Sequence, residues 1–396
     1  MDQPVGKHEC LACGHTDYRM TNSPIGELFE ESCPKCEGDM LVQSRGEIPE
    51  KLETVKRSVD EHFKIWDFKL SVENMEFLVE SDDQKKSFSN LLDDLRNVGY
   101  IARLVESRKG LSIQVEKSPE VGKSNVWINV GLLFATIATT FGVAGYWFLY
   151  GKNVLNAALF SLSLMTVLAA HELGHKISAW KNRVEASWPY FIPIPHPFIG
   201  TLGAVIKNKS PIPSREALAE LGASGPLLGF FLAIPITFTG LIFSQPTGGE
   251  TFLLGHSVSQ SLPMPLIYIL FEKSIFGYIP TALSPHPLAW SGFIILLVTW
   301  LNLLPTGQLD GGHIARSLLN QNKHFILTRT IGFALLFLTL IWNGFLILAL
   351  FILFIVGNPH PGALDNVSKL KNSHKILAVS SLIVFILCFP IPLWIF

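Results

Sequence analysis

The segment His171-Glu172-Leu173-Gly174-His175 holds the residues whose types and spacing point most directly to chemistry. Two histidines four residues apart share one face of a helix, about one turn from each other, and their imidazoles can grip one zinc ion. The glutamate beside the first histidine can reach a water at the metal as a general base. The same five-residue pattern also arises by chance, as polar residues at a helix end. Here it lies within an apolar run, where two histidines and a carboxylate are costly without partners and mark function by default.

Zinc catalysis usually needs three protein ligands and one open position. A further carboxylate stands at the far end of a later apolar run, Asp310 in Asn302-Leu303-Leu304-Pro305-Thr306-Gly307-Gln308-Leu309-Asp310-Gly311-Gly312-His313. Pro305 and Gly307 break the helix, and Gly311-Gly312 let the chain turn sharply after Asp310, so the carboxylate can aim sideways at a metal. Capping a helix that starts near 311 is the competing role for Asp310, and the two are compatible. Asn302 reads either as a hydrogen-bond donor to substrate backbone or a developing oxyanion, or as an inter-helix contact. His196, His286, His313 and His360 read as bystanders, three of them in Pro-His-Pro loops.

A second constellation lies near the N-terminus. Cys10-Leu-Ala-Cys13 and Cys33-Pro-Lys-Cys36 are two knuckles with the spacing of a zinc ribbon, a closed tetrahedral site of four thiolates. A disulfide pair, an iron centre or a redox pair is the alternative. Cys388 stands alone in the last apolar segment as a small apolar side chain.

The elements that must position these residues differ sharply in composition. The chain has 396 residues and a net charge of −1, but residues 1–125 hold 17 Lys+Arg against 24 Asp+Glu, and residues 126–396 hold 14 against 8. An acidic soluble head therefore precedes an apolar body, which excludes a simple cytosolic enzyme and gives no support to a broadly basic nucleic-acid binder. The first ten residues lack the apolar core of a secretory signal, so the head is expected in the cytosol.

Within the head, residues 1–45 form the four-cysteine segment and 46–122 a small α+β domain. The latter reads as helices over 48–63 and 83–97, a strand at 76–80, and two strands turning at Lys109-Gly110. Residues 123–396 form the body. Apolar spans are expected near 126–150, 155–180, 216–243, 288–305 and 375–395, each able to cross a core of about 30 Å. The stretch 325–356 crosses once, or twice as a hairpin hinged near Asn343-Gly344; the hairpin keeps Lys369, Lys371 and Lys375 on the cytosolic side with Lys181, Arg183, Lys207, Lys209 and Arg215. The Pro/Gly-rich but apolar stretch 187–213 cannot face lipid and must lie in the interface or re-enter. Within it, Gly200–Ile206 reads as an exposed strand edge that holds an unwound substrate, or as an interface loop. Residues 252–279 suit an interfacial helix. The fold class is thus a polytopic α-helical membrane protein of about six to seven spans plus a re-entrant loop, behind a zinc ribbon and an α+β domain.

The motifs His171-Glu-x-x-His175, Ser224-Gly225-Pro226-x-x-Gly229 and Asn302-x-x-Pro305…Leu309-Asp310-Gly311, in this order over roughly 155–320, resemble those of the site-2 proteases, the intramembrane zinc metalloproteases of peptidase family M50. The details look closest to the branch with the plant plastid EGY proteases and their prokaryotic relatives. Gly200-Thr201-Leu202-Gly203-Ala204 resembles the family's re-entrant strand. The resemblance implies a catalytic zinc on His171, His175 and Asp310, Glu172 as base, and cleavage of a substrate's transmembrane segment; Asn302, Gly200, Gly203 and Pro305 would support substrate. Expected partners are a membrane-protein substrate, the bilayer and a protein bound by the ribbon, with no specific nucleic acid. A catalytically silent scaffold recruiting partners through the ribbon has no need of Glu172 as a base, and a metal transporter would show repeated halves.

Overall fold

A computed structural model describes residues 5–29, 31–45, 48–71, 74–119, 122, 125–247, 252–253, 256–257, 263–280, 283–340 and 344–391. The chain divides into two compact units, residues 1–120 with 364–369, and residues 121–363 with 370–396.

The first unit is built on one eight-stranded sheet. Its strands are β1 (Val5–Cys10), β2 (Thr16–Met20), β3 (Leu28–Phe29), β4 (Met40–Arg45), β5 (Lys64–Ser71), β6 (Met75–Glu80), β7 (Tyr100–Ser107) and β8 (Gly110–Lys117), in the order β3-β4-β1-β2-β5-β6-β8-β7. Helix α1 (Glu50–His62) presents Leu52, Val55 and Val59 to the core, and α2 (Gln84–Asn97) presents Phe88, Leu91, Leu92 and Leu95. Asp83 caps α2 by accepting the Lys86 amide at 3.1 Å, which fixes where that helix starts.

Two features differ from the sequence reading. The four-cysteine segment and the α+β part are not separate domains, because antiparallel pairing of β2 with β5 runs the sheet through both. Strand β5 has no counterpart among the expected elements. It shows little alternation, since only Phe68, Leu70 and Ser71 in it are buried. The unit is also completed from far along the chain. Leu364 is buried in its core, its carbonyl accepts the Leu104 amide at 2.9 Å, and Asp365 bridges β7 in parallel. The outer edge of β7 is thereby partly covered.

The second unit begins with α3 (Val126–Ile137), which continues as a π-helical segment over Ala138–Leu149. It proceeds through α4 (Val154–Lys181), the hairpin of β9 (Tyr190–Pro193) and β10 (Thr201–Val205), α5 (Arg215–Ile242), α6 (Leu266–Phe276), α7 (Pro287–Asn302), α8 (Asp310–Leu318), α9 (Gln321–Leu338), α10 (Gly344–Leu350) and α11 (Asn372–Leu387). Among the described residues, Val126–Trp147, α4 and α5 are long and apolar enough to cross a membrane, while α7, Gly344–Phe354 and α11 are apolar but shorter. Of the interfacial helix expected over 252–279, the structure shows α6, and part of the stretch lies outside the described residues.

The polar ends of the helices show their directions. Glu220, near the start of α5, accepts from Lys181 Nζ at 2.8 Å and Asn182 Nδ2 at 2.9 Å at the end of α4, and pairs with His374 Nε2 at 3.0 Å at the start of α11. The stretch 325–356 folds back on itself. Arg329 on α9 donates to the Leu353 carbonyl at 2.8 Å, in the turn that continues α10. Two antiparallel arms therefore return the chain to the end where α11 starts. Gly344 opens the second arm, and Asn343 lies outside the described residues.

Candidate active site

The middle of α4 brings His171 and Glu172 into the interior, 6% and 3% exposed, with His175 one turn on. Helix α5 packs directly on this turn. A side chain on Gly225 would run into the His175 ring, and one on Gly174 would meet the Ser224 carbonyl at 2.6 Å. The glycines of Ser224-Gly225-Pro226-x-x-Gly229 are thus a close-packing face.

Helix α7 ends at Asn302, and the chain takes a seven-residue turn before α8 starts on Asp310. Gly307, at φ 49°, supplies the left-handed residue in that turn. The Gly311-Gly312 pair behaves differently from expectation: both residues are helical, inside α8. They matter for closeness, since a side chain on Gly311 would collide with the Leu303 carbonyl. Asp310 also makes no cap. The N-cap position is Leu309, without a side-chain cap hydrogen bond, so the Asp310 carboxylate is left for another partner.

That partner is the pair of histidines. Asp310 Oδ2 lies 3.3 Å from His171 Nε2 and 3.3 Å from His175 Nε2, and the two Nε2 atoms are 3.1 Å apart. Zinc bonds of about 2.0–2.1 Å in a tetrahedral arrangement place their donor atoms about 3.3–3.4 Å apart, so this triangle fits one such ion. The tautomers agree with ligation. His175 Nδ1 donates to the Leu221 carbonyl at 2.7 Å, which leaves its Nε2 lone pair facing the triangle. Two bare nitrogens and a carboxylate at these separations repel one another unless a proton or cation lies between them. Glu172 is close enough to interact electrostatically with all three groups without belonging to the triangle.

Asn302 Nδ2 lies 3.3 Å from His171 Nε2, so in this arrangement it makes an inter-helix contact to a candidate ligand. A narrow cleft leads from His171 between α4, α7 and β10, lined by Leu168, Thr201, Gly203, Val298 and Thr299. Strand β10 therefore runs beside the triangle. Among the described residues it pairs only with β9, its register shifts between Thr201 and Ala204, and Leu202 and Val205 are exposed. Gly200, at φ 72°, packs against the backbone of Thr139 and Thr140 and turns the chain into β10. Pro305 is half-buried in the α7–α8 turn and does not line the cleft.

In the first unit the four thiols converge. All lie within 4.8 Å of one another, with Cys10 3.4 Å from Cys36 and Cys13 3.7 Å from Cys33, and all are free. A tetrahedral site with Zn–S bonds of about 2.3 Å separates its sulfurs by about 3.8 Å, so these four fit one ion. Burial pushes the Cys10 thiol up, but the amides of Cys13 and Ala12 outweigh it and pull it below the ordinary thiol value, while its thiol neighbours push Cys36 up, so the clustered thiols ionise one before another.

Two groups escape the sequence reading. His313 and His360, read as bystanders, hydrogen-bond each other at 2.8 Å beside Asp310's helix. Glu220 ties three helix ends together. Neither shows a signal in the chain, because each contact spans distant segments. The Nδ1 atoms of His196 and His286 accept the local amides of Phe198 and Leu288, each at 3.3 Å, and the His286 ring also packs on Phe243 at the end of α5. Cys388 is fully buried.

Residues 159–340 match peptidase family M50. The chain is similar to the probable zinc metalloprotease EGY1, chloroplastic, of Oryza sativa subsp. japonica (28% identical over 58% of this chain and 40% of the relative) and of Arabidopsis thaliana (28% over 61% and 44%). It is also similar to the probable zinc metalloprotease EGY2, chloroplastic, of Arabidopsis thaliana, at 34% over 38% of this chain and 27% of the relative. The chain thus spans less than half the length of these curated relatives. No solved structure matches it. The match to peptidase family M50 over 159–340 and the geometry agree in place, since His171, His175 and Asp310, which converge in the fold, all lie within the matched range.

Proposed function

We propose that the chain is an intramembrane zinc metalloendopeptidase that cuts membrane-protein substrates in or near a transmembrane segment. The observation that carries this reading is the His171–His175–Asp310 triangle, whose two histidines stand on a helix long and apolar enough to cross a membrane, beside a strand edge that has no partner among the described residues. One zinc would be held there and a second by Cys10, Cys13, Cys33 and Cys36. Held by His171, His175 and Asp310, zinc would supply Lewis acidity to polarise a scissile carbonyl and lower the pKa of a water.

The chain's own residues do the rest. Strand β10 takes an unwound substrate segment by backbone pairing, since a peptide bond within a helix is shielded from attack. Glu172 accepts a proton from the attacking water and passes it to the leaving amine. Asn302, on the last turn of α7 and 3.3 Å from His171 Nε2, would hydrogen-bond substrate once His171 is engaged. The α4 end, the α5 start and the α11 start lie together with Lys181, Arg215 and Lys375, so this end faces the cytosol, with about six to seven crossings in all. A ribbon with no open position suits binding a protein partner.

The test is a purified full-length chain assayed on a model transmembrane substrate. Glu172→Gln should lower cleavage by about 10²–10⁴-fold and leave the body zinc in place. Full activity in that variant sinks the proteolytic reading, and loss of zinc makes Glu172 a ligand.

A further inference from the structure

The chain contains three Pro-His-Pro tripeptides, centred on His196, His286 and His360, and all three make the same local turn. In each, the ring Nδ1 accepts the amide two residues on, from Phe198, Leu288 and Gly362. The turn thus fixes the tautomer: Nδ1 is an acceptor and, in the neutral ring, the proton is on Nε2. Only His360, among the three, sends that N–H to another histidine. It is 2% exposed, and its Nε2 lies 2.8 Å from Nδ1 of His313. The rings meet edge to face at 4.9 Å and 87°, and His324 meets the His360 ring in turn at 5.7 Å and 82°.

His313 is three residues after Asp310 in α8, so the two side chains lie on neighbouring positions of one helix face. Helix α8 has nine residues and no side-chain cap at its start, and close packing holds its first turn, since a Cβ on Gly222 would lie 2.4 Å from the Asp310 carbonyl oxygen; that packing acts on the backbone and leaves the Asp310 and His313 side chains to their own partners. The donor on His313 from a loop outside the helix is a buried contact on the helix face that the Asp310 side chain shares.

We propose that His360 is a positioning residue for the body metal site, acting through His313 to hold Asp310 against His171 and His175. This rests on the metalloprotease reading of the triangle, and the test reads metal affinity, which does not depend on turnover. Full-length chain is titrated with cobalt(II) against a chelator. Thiolate-to-metal charge transfer marks the ribbon site, and the site made of two histidines and one aspartate lacks it, so the ribbon serves as internal reference. His360→Ala should weaken the body site by about 10–100-fold, the loss usual for outer-shell partners, with the ribbon unchanged. A glutamine amide can replace the Nε2–H donor, and an asparagine can replace only the Nδ1 acceptor of the local turn. His360→Gln should therefore recover most of the affinity, and His360→Asn should behave like alanine.

A residue that merely closes the turn would give the reverse order, with asparagine rescuing and glutamine failing. That outcome, or an unchanged affinity in His360→Ala, overturns the proposal while the metalloprotease reading stands. A wild-type chain with no metal beyond the ribbon overturns both.

Discussion

At Gly225 the distinction between a chemical residue and a packing residue becomes measurable. It contributes no donor atom, yet a methyl group there would occupy the space of the His175 ring. Gly225→Ala should force the ring off its Leu221 hydrogen bond and lose most of the body zinc, with an overpacking cost of about 1–3 kcal/mol. Zinc content and a denaturation midpoint measured on the same preparation check this, and normal zinc with a normal midpoint would contradict the packing. The His171-Glu172-x-x-His175 spacing is legible in the chain because it is local: one helical turn brings both rings to one face whatever surrounds them. The partnership with Asp310 depends instead on how α5 and the α7–α8 turn pack. For the same reason the Gly311-Gly312 pair reads as a bend in the sequence and proves helical in the fold. Glycines in a helix and glycines in a turn look alike in a sequence.

Among the elements, the four-cysteine segment shows how pairing overrides domain boundaries. Strands β1–β4 and the turns between them carry few large buried side chains, with Met40, Val42, Cys10 and Cys33 prominent among them, so they rely on the metal and on the β2–β5 ladder. Removing metal with a chelator should expose the amides of β1 and β4 to hydrogen exchange, while β6, β7 and β8 stay protected by the core beneath α1 and α2. Exchange that accelerates equally across all eight strands would mean one cooperative unit, and none at all would mean that the ribbon folds without metal. The helices over 84–97 and 50–62 match their periodic patterns closely because their buried faces are regular. Strand β5 does not, because alternation fails where a strand is buried by unlike neighbours along its length.

For the whole molecule, two placements can be tested. Lys207 and Lys273 are exposed in the segments that precede and follow α5. Single cysteines there, with the native cysteines accounted for by parallel labelling of wild type, should react from opposite sides of a sealed vesicle. Reaction from one side alone would overturn the orientation. The second test concerns the return of the chain to the first unit. Leu364 is 5% exposed in that unit's core, although the unit's main segment ends at Glu120. Leu364→Ala should cost about 2–5 kcal/mol and speed exchange of the Leu104 amide, which donates to the Leu364 carbonyl. An unaltered Leu104 would show that the segment only rests there.

Composition already divides the chain into an acidic head and an apolar body, because transfer free energy acts on residue types before any fold exists. The two metal-ligand spacings are equally plain in the chain, because knuckles and helical turns are set by the local backbone. What distant residues do together emerges only on folding. Packing turns 325–356 back as two arms, joins the ribbon to the α+β sheet, returns Leu364 to that sheet, and aims His360 at His313. These contacts join segments tens to hundreds of residues apart, and no periodicity or local propensity encodes them. Their cost in loop closure grows only slowly with separation, so the packing that satisfies the most buried groups selects them.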